Sequence, residues 1–262
     1  MVDFEHTTER VAGCGISVRQ GGEGPPLLFL HGAGGGSEWL PFMSELARRY
    51  TVIVPEHPGF GDSESPGWLR EVGDLAYFYL DFLEQRGLRD VHLVGASLGG
   101  WIAAELAVRN QHHLRTLTLV NSAGIHVKGL PRKGDIFLWS REEKTRRLYH
   151  GAGMAEAALA VPLEGEAMDR QLKNALTTAL LAWQPRLYNP QLIKWLHRIT
   201  VPTLVLWGAE DQVIPAAYGE QFAQRIPNAR LVNFEACGHL PQVECAERFV
   251  SALGEFFEEV GP

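Results

Sequence analysis

Gly95-Ala96-Ser97-Leu98-Gly99 sets a serine between two glycines, where an apolar run at 91–94 gives way to an apolar helical stretch at 101–109. A serine hydroxyl is a weak nucleophile until the backbone lifts it from a sheet edge and a base takes its proton. A sharp strand-to-helix turn does the lifting, and it leaves room only for hydrogen two positions before and after the serine. Gly95 and Gly99 answer that demand. A second glycine-rich stretch, His31-Gly32-Ala33-Gly34-Gly35-Gly36-Ser37, follows the apolar run at 27–30. Such a loop bares backbone N–H groups, which suits an oxyanion hole for a tetrahedral intermediate. A phosphate cradle is disfavoured: the P-loop lysine is missing, and G-x-G-x-x-G fails because Ser37 stands three positions after Gly34.

A nucleophile of this kind needs an imidazole to take its proton and a carboxylate to fix the imidazole's tautomer. Asp211 lies in Trp207-Gly208-Ala209-Glu210-Asp211 and His239 in Cys237-Gly238-His239-Leu240-Pro241, each after an apolar run, at 203–207 and 229–234. Glu210 competes with Asp211, but the loop through Pro215 suits the later residue as the inward one. Asn121 occupies a second acid position, after the run at 117–120, and carries no charge. Among the other histidines, His31 reads as stabilising its turn and His57 as shaping the loop Glu56-His57-Pro58-Gly59-Phe60-Gly61. Adjacent His112 and His113 read as a solvated helix end, and no metal site is expected.

The elements that position these residues follow from hydrophobic patterning. Short runs at 27–30, 51–54, 91–94, 117–120, 203–207 and 229–234 alternate with helical stretches at 39–49, 72–85, 101–109, 216–225 and 246–259. That alternation predicts an α/β fold, a parallel sheet wrapped by helices. Weaker runs at 9–12 and 16–20 fit an antiparallel hairpin on its edge. Binding loops in such sheets lie beyond the carboxyl ends of the strands, where all four motifs fall. From 128 to 198 no strand is expected, only helices at 141–150, 154–160, 165–181 and 190–198. This apolar segment, with Phe137, Trp139, Met154, Met168, Trp183 and Trp195, reads as an insertion covering the functional edge.

Composition narrows the partners. In 262 residues, Lys+Arg 24 against Asp+Glu 31 gives a net charge of −7, with no basic block. Nucleic-acid binding needs a clustered positive face and is not expected. Apolar runs stop short of the roughly 20 residues of a membrane helix, so no membrane partner is expected. The acidic start Met1-Val2-Asp3-Phe4-Glu5 lacks the pattern of a signal peptide. Cys14, Cys237 and Cys245 form an odd, unpatterned set that suits a reducing cytoplasm. The expected partner is a small-molecule substrate; oligomeric state is not readable.

Five stations in order (His31-Gly32 with its glycine loop, Pro58-Gly59-Phe60-Gly61-Asp62-Ser63, Gly95 to Gly100, Gly208 to Asp211, and Gly238-His239) resemble the α/β-hydrolase superfamily over nearly the whole chain. The resemblance implies a mostly parallel eight-stranded sheet flanked by helices. Core segments 1–127 and 199–262 would frame a helical cap at 128–198. It implies Ser97, Asp211 and His239 as catalytic residues and the amides of Leu98 and Ala33 as the oxyanion hole. Gly34, an alternative second donor, would bind substrate with Trp101, Trp139 and Leu240. No cofactor or metal is implied. Dehalogenases and epoxide hydrolases of this fold use aspartate as nucleophile, unlike Ser97. The activity implied is hydrolysis of a small-to-medium apolar carboxylic ester through an acyl-enzyme.

Neighbouring activities are implied too. The glycine loop and cap also resemble hydrolases that cleave carbon–carbon bonds of meta-cleavage products. Those often carry tryptophan right after the histidine and an arginine that grips a carboxylate. Here Leu240 follows His239, and cap arginines such as Arg141, Arg146, Arg147 and Arg186 are the candidates for that grip. Cofactor-free perhydrolases share the triad, and a ligand receptor on this fold is the non-enzymatic alternative.

Overall fold

Leu28 and Leu30 turn to one face of strand β3 (Pro26–Leu30) and Leu27 and Phe29 to the other, and all four are buried. The same period of two recurs in β5 (Val91–Ala96), β6 (Leu114–Val120) and β7 (Thr203–Gly208). Strands apolar on both faces need helices on both sides, the situation of a buried parallel sheet. One apolar layer takes in α2 (Val72–Gln85), α3 (Leu98–Arg109) and α8 (Ala217–Arg225). The other takes in α1 (Pro41–Leu46) and α10 (Ala246–Val260).

The computed structural model describes residues 3–131 and 134–261. Met1 and Val2 of the acidic start, Arg132 and Lys133 of the expected insertion, and Pro262 of the expected core lie outside the described residues. Among the described residues the sheet has eight strands, with β1 (Phe4–Val11), β2 (Cys14–Gly21), β4 (Thr51–Pro55) and β8 (Ala229–Phe234), in the order β1-β2-β4-β3-β5-β6-β7-β8. The pairs β1–β2 and β2–β4 are antiparallel and the rest parallel. Register matches Leu30 with Gly95, Ala96 with Val120, Val120 with Leu206 and Gly208 with Phe234. The loops after β3, β5, β6, β7 and β8 therefore leave from one edge.

Between β6 and β7 lie α4 (Arg141–Leu148), α5 (Ala152–Ala160), α6 (Gly165–Ala182), α7 (Leu192–Trp195) and a 3-10 turn at Leu196–Arg198. A short α9 (Pro241–Glu244) precedes α10. Some expectations shift, the edge strand expected at 9–12 among them, which spans Phe4–Val11. The helix expected over 39–49 spans only Pro41–Leu46, because the residue before a proline is pushed out of the helical region and Leu40 is extended. Helix α3 starts at Leu98, three residues earlier than its apolar run, because Gly99 and Gly100 are helical residues in a crowded turn. His112 is exposed just beyond α3, as a solvated helix end would be, but His113 is buried against Leu88 and Arg89.

Candidate active site

Strand β5 runs directly into α3, and Ser97 is the hinge, at φ 54 and ψ −111. That left-handed region strains any residue with a side chain, and such strain persists only where the surroundings enforce it. Here the backbone does so. A Cβ on Gly95 would enter the backbone of Gly99, and a Cβ on Gly99 would enter the carbonyl of Leu30. The Ser97 N–H donates to Val120 O at 2.9 Å, and its carbonyl accepts from Ala123 N–H at 3.0 Å.

The β8–α9 loop brings His239 to this hinge. Its Nε2 lies 2.9 Å from Ser97 Oγ, and its Nδ1 lies 2.7 Å from Asp211 Oδ2. A carboxylate only accepts, so Nδ1 carries the proton and Nε2 is left to accept from the serine. Both His239 and Asp211 are buried. Asp211 Oδ1 accepts from the N–H groups of Val213 at 2.7 Å and Ile214 at 2.9 Å. Glu210, its sequence rival, instead accepts from Cys237 N–H at 2.9 Å and braces the histidine loop.

Two side chains absent from the expected site join it. Asn121 Nδ2 donates to Asp211 Oδ2 at 2.6 Å, while its Oδ1 accepts from Gly208 N–H at 3.2 Å. The sequence showed Asn121 at an acid position without charge; its amide serves as the acid's hydrogen-bond donor. Glu244 Oε1 accepts from the N–H groups of Gly238 at 3.0 Å and Leu240 at 3.3 Å, and Oε2 from His150 N–H at 2.7 Å. His239 N–H donates to Leu148 O at 2.8 Å. The loop of the imidazole is thus tied to the end of α4.

Leu98 opens α3, so its N–H has no acceptor within the helix. Gly32 packs on Ser97, where a Cβ would sit 3.3 Å from the serine Cβ, and Ala33 follows it. His31 shapes this turn as expected: Nε2 accepts from His57 N–H at 3.0 Å, so Nδ1 donates to Gly32 O at 2.7 Å. His57 stacks on His31 at 3.7 Å. Burial holds the His31 imidazole down to about 4 and His57 well below the ordinary histidine range, so both are neutral near pH 7.

The glycine loops are held from the other side by α6. Asn174 Nδ2 donates to Gly34 O at 2.9 Å, and its Oδ1 accepts from Gly61 N–H at 2.8 Å. Thr177 Oγ1 donates to Gly59 O at 2.6 Å, and Lys173 Nζ donates to the carbonyls of Gly61 at 2.8 Å and Ser63 at 2.5 Å. Space around Gly34 is open.

The expected pocket residues divide. Trp101 is buried under Gly124, which would clash with it if it carried a Cβ, and its N–H donates to Glu105 Oε1 at 3.1 Å. Trp139 lies under Arg147, whose guanidinium sits 4.9 Å from the ring centre. Leu240 stands directly before α9, half-buried. The four candidate arginines all have partners: Arg141 donates to Val161 O at 2.8 Å, Arg146 pairs with Glu142 and Glu156, Arg147 with Glu143, and Arg186 with Asp135 at 2.9 Å. Among the described residues, no group of three or more His, Cys, Asp or Glu side chains is arranged to hold a metal ion.

A family model described as alpha/beta hydrolase fold matches residues 25–245. The 2-hydroxymuconate semialdehyde hydrolase of Pseudomonas sp. (strain CF600) is 33% identical, over 95% of this chain and 92% of that protein. Lipase 3 of Moraxella sp. (strain TA144) is 26% identical over 86% of this chain and 74% of that protein. Among solved structures, a membrane phospholipase A described as a bacterial virulence factor superposes with a TM-score of 0.81 at 28% identity, covering 98% of this chain and 86% of that one.

Proposed function

Because the chain belongs to the alpha/beta hydrolase fold family and is a hydrolase, we propose that Ser97, His239 and Asp211 form its catalytic triad and cleave an apolar carboxylic ester. The observation that carries this reading is the position of His239, 2.9 Å from Ser97 Oγ on one side and 2.7 Å from Asp211 Oδ2 on the other. His239 Nε2 takes the hydroxyl proton as Ser97 Oγ bonds to the ester carbonyl carbon. Asp211 steadies the imidazolium, and Asn121 and the amides of Val213 and Ile214 hold the carboxylate in place. The carbonyl oxygen, now an oxyanion, is received by the N–H groups of Leu98 and Ala33. His239 then gives its proton to the departing alkoxide, leaving an acyl-Ser97. Water, deprotonated by His239, attacks the acyl carbon; collapse returns the proton to Ser97 and releases the acid.

In this reading α4 to α7 are the cap, with Trp139, Leu240 and Gly34 facing the substrate; Trp101 anchors the floor beneath Gly124. That Arg141, Arg146, Arg147 and Arg186 are all partnered favours an uncharged ester over an anionic substrate. A cytoplasmic setting belongs to the same proposal, supported by free thiols at Cys14, Cys237 and Cys245. A second reading, cleavage of a carbon–carbon bond in a meta-cleavage product, is favoured by the relative that is 33% identical.

Nitrophenyl esters of increasing acyl length should be hydrolysed with saturation. Ser97→Ala should lower kcat by about 10⁴-fold or more while the folded state persists. Near-wild-type turnover in that variant would overturn the triad. Bleaching of a yellow dienol substrate in the absence of ester turnover would select the second reading.

A further inference from the structure

Helix α6 is amphipathic in the opposite sense to a helix that merely covers a protein. Its buried side is polar over most of its length, with Asn174, Thr177 and Thr178, and carries apolar Leu181 and Ala182 only at the end. Its outer side carries Met168 (49% exposed), Leu172 (58%), Leu176 (63%) and Leu180 (51%), followed by Trp183 (49%). A large exposed apolar face of this kind marks a contact site. The four residues from Met168 stand at intervals of four and form one ridge along the helix. The adjacent row at the same interval is Ala167, Gln171, Ala175 and Ala179, a shallow groove beside the ridge.

We propose that this face docks a second copy of the chain, the two α6 helices packing antiparallel across a two-fold axis near Ala175. The surface is complementary to itself, since each ridge can seat in the other copy's alanine row. Such ridge-in-groove pairing at an i±4 row is the commonest helix crossing, and a two-fold contact uses one patch twice. Charge supports the antiparallel sense. The amino end of α6 carries exposed Glu164 and Asp169, which a parallel pair would bring together, whereas beyond its carboxyl end Arg186 is already held by Asp135 at 2.9 Å. Opposed helix dipoles add to the match.

A lipid surface fits less well. Helices that lie on membranes carry Lys and Arg along the rim of the apolar face. Here Arg170 is held by Asp62 at 2.9 Å and Glu166 at 3.2 Å, and Lys173 by the carbonyls of Gly61 and Ser63. The size of the contact sets its strength. Five half-exposed apolar side chains at roughly 60–100 Å² each fall short of the ~800 Å² per partner of a standard interface. A contact of this size makes a reversible dimer, followed across micromolar concentrations.

Sedimentation velocity of the full chain, from below to above that range, should show wild type passing from monomer to dimer. Leu176→Glu, with unchanged circular dichroism and thermal midpoint, should stay monomeric throughout. Under mild oxidation Ala175→Cys should link two copies through its own position, and Met168→Cys, far from the axis, should link at least tenfold less. A wild type that stays monomeric overturns the proposal, as does a Leu176→Glu variant that dimerises equally. Wild-type monomer that binds phosphatidylcholine vesicles, with binding lost in Leu176→Glu, also overturns it and names lipid as the occupant.

Discussion

The turn at Ser97 and the inner face of α6 both act on the glycine loops at the carboxyl edge of the sheet, by different physics. At the turn, the atoms that a Cβ on Gly95 or Gly99 would meet first are backbone. At α6, Asn174, Thr177 and Lys173 reach across to carbonyls and an amide of the loops around Gly34 and Gly59 to Ser63. Hard-sphere contact tolerates almost no change, whereas a hydrogen bond to a loop can lengthen, be replaced or pass through water. Ser97 is therefore fixed by the sheet, while the loop beside it is adjustable from the insertion.

Gly99→Ala sharpens the contrast most. Its Cβ would meet the Leu30 and His31 carbonyls, so destabilisation of about 4 kcal/mol or more is expected, read as a lower urea midpoint with activity lost in parallel. Wild-type stability in that variant would remove the steric account. Acid comes next. The folded value of His31, about 4, lies below the ordinary 6.5, so the unfolded chain binds the extra proton first. Stability present above pH 6.5 should decline as pH falls toward 4, by up to about 3 kcal/mol from this group. Urea titrations at pH 7, 5.5 and 4.5 should show a shallower decline for His31→Gln, and identical slopes would refute the assignment. Smallest is Asn174→Ala: kcat/KM should fall about tenfold through a misplaced Gly34 loop, with stability reduced by only about 1 kcal/mol. An unchanged kcat/KM would mean the loop holds itself, and the contrast with the turn would disappear.

The same contrast governs what could be read from sequence. The parallel sheet was legible because apolar runs and their spacing are local, and so was the edge where Ser97, Asp211 and His239 meet; the count of eight strands came with the family resemblance. Glycines flanking a serine report a crowded turn without any knowledge of the rest of the chain. Asn121 and Glu244 were not legible as donor and brace, since each acts on a group brought near only by the folded sheet. The helical periodicity of α6 divides its residues into two faces, yet period alone does not say which one turns inward. The usual assumption would bury the leucines and expose Asn174 and Thr177. Trp101 shows the same limit: an indole beside the serine turn reads as a pocket wall, and the missing Cβ of Gly124 draws it into the core instead.

The amide of His239 and the carboxylate of Glu244 both grip the end of α4, at Leu148 and His150. A swing that lifts this end to admit or release a molecule must let go of both. The proton-carrying ring would lose its alignment for as long as the door stood ajar. Under the proposed ester chemistry, entry and bond-breaking would then alternate in time, and an acyl group would meet water only behind a shut cover.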